Sequence, residues 1–461
     1  MIHPDRITTI FKSEKKDASY VLYWMQQSAR VSFNHALLKT IEIANQQQLP
    51  VLVVFSLTYD YLDANLRHYT FMLEGLKEVK ETLNDLGITF HIALGKPEET
   101  LLEFIQNCHT LVMDHGYLKP QKLWRRRLYE KIEVMSPKSG LIVVESDVIV
   151  PVKKAYEKLA YGAYVVRSSI MRKIASYRDF KALVTIENKT RIPIDEVFDL
   201  NNIKSALSNT TLNQSVKPYE TFSGGYSQAL KHLEYFFKNQ IKHYDLRSDP
   251  GLNIQSYMSM YLHFGQICSL EIYEYVTDLY TLQSIDTQVY EQFIEQLIVR
   301  RELAFNFVTY NKDYDLFDKM TEPWAYQTME AHREDERKYL YTKTELEQGL
   351  THDPYFNSAA KEMRITGFMA NYMRMYWAKK IMEWTESMPK AYENIVYLNN
   401  KYFLDGRDAN SYVNIAWCFG KMDRAFTERY IFGKLRYMND KGLERKFDMD
   451  AYVKRINQLK E

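Results

Sequence analysis

Two tryptophans, Trp377 and Trp384, stand seven residues apart in the run Met373-Arg374-Met375-Tyr376-Trp377-Ala378-Lys379-Lys380-Ile381-Met382-Glu383-Trp384. On a helix that spacing is two turns on one face, about 10.5 Å of rise. Downstream, Leu404-Asp405-Gly406-Arg407-Asp408-Ala409-Asn410 offers two carboxylates and an amide, groups able to hold a heterocycle that changes redox state. Indoles at hopping distance beside such a pocket point to one-electron chemistry, although an isolated pair would as readily fill a core.

Two further segments carry groups for an anionic ligand. In Gln255-Ser256-Tyr257-Met258-Ser259 two hydroxyls lie three residues apart ahead of a helix. They can offer O–H and backbone N–H donors to a diphosphate at the positive end of the helix dipole, and the same pattern also serves as a simple N-cap. In Glu295-Gln296-Leu297-Ile298-Val299-Arg300-Arg301-Glu302 an arginine can pair with phosphate and a carboxylate can bond a pyrimidine edge. His352-Asp353 reads as a turn before Pro354. No Ser/His/Asp or Cys/His nucleophile constellation is visible, and no metal is implied.

The elements that must position these groups fall into two kinds. Tyr20 to Trp24, Val51 to Leu57, Ile88 to Leu94, Thr110 to Asp114 and Leu141 to Glu145 read as strands. Ser32 to Gln46 and Asn65 to Leu86 between them have helical periodicity. Strand–helix alternation predicts an α/β, doubly wound parallel sheet over residues 1–181. Neither G-x-G-x-x-G nor G-x-x-x-x-G-K-[ST] follows a strand, so this unit reads as a scaffold. Residues 182–225 turn polar and irregular and predict a long interdomain linker lying against the surface. Residues 226–461 are helical throughout, with no convincing strand.

A chain of 461 residues suggests two domains. Its net charge of +1 supplies no global field, so any DNA contact must be a local basic patch. Trp124-Arg125-Arg126-Arg127, Arg300-Arg301 and Lys441 through Arg445 to Lys446 are candidates. Cys108, Cys268 and Cys418 are scattered and odd in number, which excludes a disulfide framework or zinc site and suits a reducing compartment, cytoplasmic or nuclear. No long apolar run predicts a membrane span, and no heptad seam predicts an oligomer, so a monomer is expected.

Taken together, the runs around Trp377 and Asp405, the closing Phe432-Gly433-Lys434-Leu435-Arg436-Tyr437-Met438 and the opening Tyr20-Val21-Leu22-Tyr23-Trp24-Met25-Gln26-Gln27-Ser28-Ala29-Arg30 resemble class II cyclobutane pyrimidine dimer photolyases. The resemblance runs over nearly the whole chain. It implies an all-helical FAD-binding domain after the sheet, and light-driven repair of pyrimidine dimers in UV-damaged DNA. A second, antenna chromophore between the domains is implied as well, without its identity. A cryptochrome-like photoreceptor is the alternative, disfavoured by the absence of a long segment after the last family motif.

The resemblance also implies roles. Tyr244, Ser256, Met258 and Ser259 belong to the segment that wraps the FAD pyrophosphate; Met260 stands where the family commonly has proline. Arg301 faces FAD, and Glu295 faces the lesion, with Glu302 a salt-bridge partner. Arg374 pairs with Asp405 near the isoalloxazine, Asp408 and Asn410 line the same pocket, and Asn399 lies by flavin N5. Met375 and Trp417 clamp the flipped dimer. Trp377 nearest the flavin and Trp384 nearer the surface form a hole relay whose middle tryptophan is replaced by Phe356, leaving Tyr355 or another tyrosine to substitute. Phe426 likewise stands where the family tends to have tryptophan.

Overall fold

A computed structural model describes residues 2–135, 138–180 and 182–460. Six strands form one sheet: β1 (Ile7–Phe11), β2 (Tyr20–Trp24), β3 (Val51–Leu57), β4 (Thr89–Leu94), β5 (Cys108–Asp114) and β6 (Gly140–Val144), in the order β1-β6-β5-β2-β3-β4. β2 to β6 pair in parallel, while β1 closes one edge antiparallel to β6. The helices His35–Gln47, Leu66–Leu86, Pro97–Ile105 and Lys119–Met135 connect the parallel strands, and both sheet faces are covered by apolar clusters. Burial on two faces explains the unbroken apolar runs of β2 and β3. β1 escapes sequence reading because Ile-Thr-Thr-Ile-Phe is a mostly exposed edge with no apolar run.

Asp114 ends β5 and organises the crossover point of the sheet. Its Oδ2 accepts the backbone N–H groups of Gln26, Gln27 and Ser28 at 3.0, 2.9 and 2.9 Å, and Oδ1 accepts the Tyr23 hydroxyl at 3.0 Å. The chain leaving β2 is thereby fixed where a ligand crevice forms in open α/β sheets.

Residues 182–225 do more than lie on the surface. Ile186, Phe198, Leu200, Leu207 and Leu212 are buried in the sheet's core, and the Ile192 N–H donates to Thr89 Oγ1 at 3.1 Å. The segment shields β4, an edge strand that would otherwise expose unpaired backbone.

Beyond it the described chain is helical. The helices Tyr226–Asn239, Met258–His263 and Ser269–Thr281 share a core with Ala163–Lys173. A second core joins Arg301–Tyr310, Pro354–Thr366, Asn371–Trp384, Met388–Tyr402 and Ala409–Cys418. Glu295–Arg300 is wound as a π-helix, a form concentrated at functional sites. No helix among the described residues is long and apolar enough to cross a membrane.

The two halves are joined by buried guanidinium groups that bond backbone carbonyls. Arg30 Nη1 donates to the Gly265 carbonyl and Nη2 to that of Ser146, both at 3.1 Å. Arg67, on the Leu66–Leu86 helix, donates to the carbonyls of Lys217, Met363, Tyr402, Arg364 and Ile365 at 2.6–3.3 Å. Burial pushes the Arg67 pKa down to about 10, so it stays charged at neutral pH. Gly265 adds a close approach: with φ +67°, a Cβ there would meet the Gln27 carbonyl oxygen at 1.9 Å. Arg67→Met keeps the volume and strips five carbonyls of their donor, so denaturant unfolding should show a loss of about 3 kcal/mol or more. An unchanged midpoint would mean that these bonds do not hold the halves together.

Candidate active site

Arg374 and Asp405 form a bidentate charge pair in the helical half. Arg374 lies in the first turn of the Asn371–Trp384 helix, and Asp405 in the loop between Met388–Tyr402 and Ala409–Cys418. Nη1 and Nη2 meet the two carboxylate oxygens at 2.9 and 3.1 Å, and Nε donates to the Met369 carbonyl at 2.8 Å. The guanidinium lies 4.1 Å from the Phe403 ring centroid and 5.5 Å from that of Phe368. Planar contact plus a bidentate carboxylate is a fit that lysine would not reproduce.

One turn away the chain folds a second acid into place. Asp408 caps the Ala409–Cys418 helix, its Oδ1 accepting the N–H and side-chain amide of Asn410 at 2.8 and 3.0 Å. Its Oδ2 lies 3.1 Å from His263 Nδ1. Burial raises the Asp408 pKa, but His263 and the Asn410 amide outweigh it and hold the carboxyl below its ordinary value. His263 ends the Met258–His263 helix, so this bond brings the serine-bearing segment to the Asp405 loop across 145 residues of sequence. Sequence reasoning did not single out His263 for this contact, and no local signal could have paired it with Asp408.

At the other end of that short helix Tyr257 adopts φ +57°, and no side chain caps the opening turn. Ser256 Oγ accepts only the Met258 N–H, at 3.4 Å, and Ser259 is exposed. Met258 itself is buried core. Tyr244 is buried, with the Arg247 guanidinium 4.7 Å from its ring, and Arg247 is held by Gln292 at 2.6 Å. Arg301 is buried, donates to the Asp147 carbonyl at 2.6 Å and stands 4.7 Å from the Phe305 ring. Asp147 Oδ2 has no hydrogen-bond partner, and burial pushes this carboxyl up to about 7.

Trp377 is buried, with its ring edge-on to Phe403 at 6.2 Å, and its indole N–H meets no acceptor among the described residues. Asn399 is buried one helix away, its amide bonded to Asn400 Oδ1 at 3.1 Å. Trp384 is as buried as Trp377, with Tyr341, His352 and Phe356 against its ring. Phe356 meets it edge-on at 5.2 Å. Tyr355 points elsewhere, its hydroxyl bonding Glu444 at 3.0 Å. Asp353 accepts the Tyr355 and Phe356 N–H groups as the N-cap of the next helix.

A third group faces outward. Glu295 holds Arg167 through two 2.8 Å bonds and Arg300 through one of 2.9 Å. Partial burial pushes its pKa up, but the two arginines prevail and keep it below the usual carboxylate range. Arg300 in turn covers the half-buried Trp417, 5.2 Å from its ring. Met375 is half-buried on the same helix as Trp377. Glu302 is not a salt-bridge partner; its Oε1 accepts the N–H groups of Ile149 and Val150 at 2.6 and 3.3 Å, and burial pushes its carboxyl up to about 7. Nor is Trp124-Arg125-Arg126-Arg127 a clean basic patch, because Arg125 turns inward to the Gly116 carbonyl.

Beside this site opens a cleft at the carboxyl ends of β2 and β3, lined by Trp24, Phe55, Tyr61, Trp124 and Phe264. Asp408 and His263 also border it.

Comparison with known proteins gives one answer. A DNA photolyase family model matches residues 21–183. A deoxyribodipyrimidine photo-lyase of Methanothermobacter thermautotrophicus is 42% identical over 465 residues, spanning 100% of this chain and 99% of that one. Proteins of the same name from Potorous tridactylus and Arabidopsis thaliana are 34% and 33% identical, covering 95% and 99% of this chain and 81% and 94% of theirs. A class III photolyase from Agrobacterium tumefaciens superposes with a TM-score of 0.73 at 16% identity, over 96% of this chain and 87% of that one. A cryptochrome from Synechocystis sp. PCC6803 gives 0.72 at 14%, over 95% and 89%. At such identities these two structures speak for the fold alone.

Asp405→Asn leaves the shape of the loop but deprives Arg374 of its counter-charge. Because the pair is partly solvated, the expected cost is about 2 kcal/mol in chemical denaturation rather than the full penalty of a buried orphan charge. Wild-type stability in this variant would show that the Phe403 and Phe368 rings alone suffice to hold the guanidinium.

Proposed function

The chain belongs to the DNA photolyase family, and from that premise we propose that it repairs cyclobutane pyrimidine dimers in DNA as a class II photolyase using FAD. The observation that carries this reading is the clamped Arg374–Asp405 pair with the Trp377 indole N–H left without an acceptor on the next turn of the same helix. The residues present fit a flavin dinucleotide. The uncapped helix behind Ser256 and the exposed Ser259 suit a diphosphate, and this reading adds Tyr244 and Arg301 to the same ligand. Arg374, Asn399, Asp405, Asp408 and Asn410 supply charged and amide groups for a ring system that must be read on its edge. The chemistry such a group supplies when bound and reduced is an electron lent to the dimer under light, whose two cyclobutane bonds open before the electron returns.

The protein's own part is to bind, orient and exclude water. Arg374 is fixed by three hydrogen bonds and two aromatic rings before any ligand arrives, so it orients a partner without reorganising. A buried asparagine such as Asn399 can donate or accept at a ring nitrogen whose protonation changes. Met375 and Trp417 form apolar walls for a dimer swung out of the duplex, which costs a few kcal/mol and less for a lesion that already pairs poorly. Glu295 keeps an acceptor site on Oε2 for a pyrimidine edge while Arg167 and Arg300 hold the carboxylate. The division into a sheet domain at 1–181, a linker at 182–225 and a helical domain at 226–461 belongs to the same reading.

The test is light-dependent repair of a thymine-dimer oligonucleotide by protein whose flavin has been chemically reduced in the dark. Thymines restored under blue or near-ultraviolet light, and only then, are expected. Tight binding of damaged DNA with no repair would replace this reading by a cryptochrome-like photoreceptor. Started from oxidised flavin, the same assay should run slower, because phenylalanine at position 356 cannot carry a hole.

The aromatic cleft at the ends of β2 and β3 is the place for an antenna chromophore in this reading. Denatured protein should release an absorbing compound besides flavin; release of flavin alone by protein from its native cell would remove this assignment.

A further inference from the structure

One stretch of the sheet half carries charge out of proportion to the rest of the molecule. Over residues 153–173 stand Lys153, Lys154, Lys158, Arg167, Arg172 and Lys173 against a single acid, Glu157, in a chain whose net charge is +1. Lys154 meets Asp5 at 3.2 Å, and Arg167 meets Glu295 at 2.8 Å. The other four have no carboxylate within ion-pair reach among the described residues; Arg172 and Lys173 donate instead to the carbonyls of Ser168 and Lys154. The same stretch exposes rings. Tyr161 is 55% and Tyr164 67% accessible, and Leu159 and Met171 are exposed as well.

The Ala163–Lys173 helix sorts these residues by face. Ala163, Val166 and Ile170 are buried, so one side of it belongs to the core. The other side carries Tyr164, Arg167, Ser168, Met171 and Arg172, all exposed, over about 12 Å of rise. One strand of a DNA duplex presents a phosphate about every 3.4 Å of its axis, so this stripe is long enough for about three. At its middle the stripe meets the site described above. The helix packs on Glu295–Arg300, and Glu295 takes Arg167 through two bonds of 2.8 Å and Arg300 through one of 2.9 Å. One carboxylate between two guanidinium groups leaves a positive charge over, and Arg300 lies 5.2 Å from the Trp417 ring. The cationic face is therefore continuous with the wall against which the lesion is read.

Resting on the photolyase reading above, we propose that the exposed face of the Ala163–Lys173 helix, with the segment 153–158 before it, binds the backbone of the damaged strand on one side of the dimer. The sheet half thereby shares in holding the DNA. Lys158, Arg167 and Arg172 neutralise phosphates, contacts that set register without reading bases. Tyr164 offers a ring on which a base left without its neighbour can stack. Arg167 also couples the two tasks, since the carboxylate that fixes it is the one placed at the pyrimidine edge. Rings set among cations suit a nucleic acid, which has both phosphates and π-faces. The excess of positive charge opposes a second copy of the chain meeting this face with its own.

Affinity of the holoprotein for dimer-containing oligonucleotides, measured against salt and against flank length, tests this. Lengthening the flank on one side of the dimer should tighten binding by the wild type. The double variant Lys158→Gln, Arg172→Gln should lose that gain, and its salt slope should fall by about 1.8, which is about 0.9 for each phosphate contact. Tyr164→Ala is expected to bind the longer oligonucleotide about tenfold more weakly. Lys158, Arg172 and Tyr164 lie outside the site, so light-driven repair of a bare thymine-dimer dinucleotide should keep its wild-type rate in every variant, which also shows that each one folds. Unchanged affinity and slope in both variants would overturn the proposal. So would a loss confined to binding of phosphatidylserine vesicles, which would assign the stripe to an anionic lipid surface. Failure of the reduced wild type to repair the dinucleotide strikes the photolyase reading, whereas repair with unaltered flank dependence strikes this inference alone.

Discussion

A guanidinium taken out of water must find a hydrogen bond for nearly every N–H it carries, and this requirement organises the interface between the sheet and the helices. Arg67 spends its donors on five carbonyls from residues 217, 363, 364, 365 and 402, drawing three separate stretches of chain to one point. Arg30 ties the loop after β2 to Gly265 and Ser146. Arg6 does the same at the far edge, bonding the carbonyls of Glu145, Val148, Ile149 and Tyr177. Carbonyls are neutral acceptors, so Arg67 and Arg30 set positions without pairing charges, while Arg6 also pairs with the Asp179 carboxylate at 3.1 Å. They fix where residues 263–265 and 402–405 lie, and those residues flank the site.

The site itself uses charge differently. Arg374 has a carboxylate partner, and Asp408 has His263, so the polar groups around the pocket are pre-set by charge-assisted bonds. Between them the protein leaves deliberate gaps in its hydrogen bonding: the Trp377 indole N–H, Asp147 Oδ2 and the uncapped turn after Tyr257. Buried polar atoms without partners are costly unless something else satisfies them. Such atoms occur in both halves of the described chain, so it is the charge pairs together with these gaps, and not the gaps alone, that single out this region.

Much of the architecture was legible because it is local. The apolar runs of β2 and β3, the periodicity of Leu66–Leu86 and the helix carrying Trp377 and Trp384 all follow from patterns a few residues long. The Arg374–Asp405 pair was legible only through family resemblance, since nothing in the chain between two positions 31 apart predicts it. What stayed hidden is of long range or depends on negative space. β1 lacks an apolar run because it is an exposed edge. Glu302 looks like a surface partner for its arginine neighbours, yet burial and two backbone amides claim it. The linker reads as polar loop because its few apolar residues, from Ile186 to Leu212, are spaced to fit a neighbouring core rather than to form one of their own.

The tryptophan pair shows how one helix imposes its terms on chemistry. A rigid helix fixes Trp377 and Trp384 at two turns' separation, which secures reproducible coupling but buries both rings in the same core. Burial leaves the Trp377 indole N–H without an acceptor among the described residues, whereas Trp384, at the last position of the helix, packs against Tyr341, His352 and Phe356. The chain at 339–352 covers that end of the helix, joined to it by the backbone bond from Tyr341 to the Trp384 carbonyl. One helix thus holds the same side-chain type in two settings, the first walled in by the core and the second lying under a loop whose His352 is exposed.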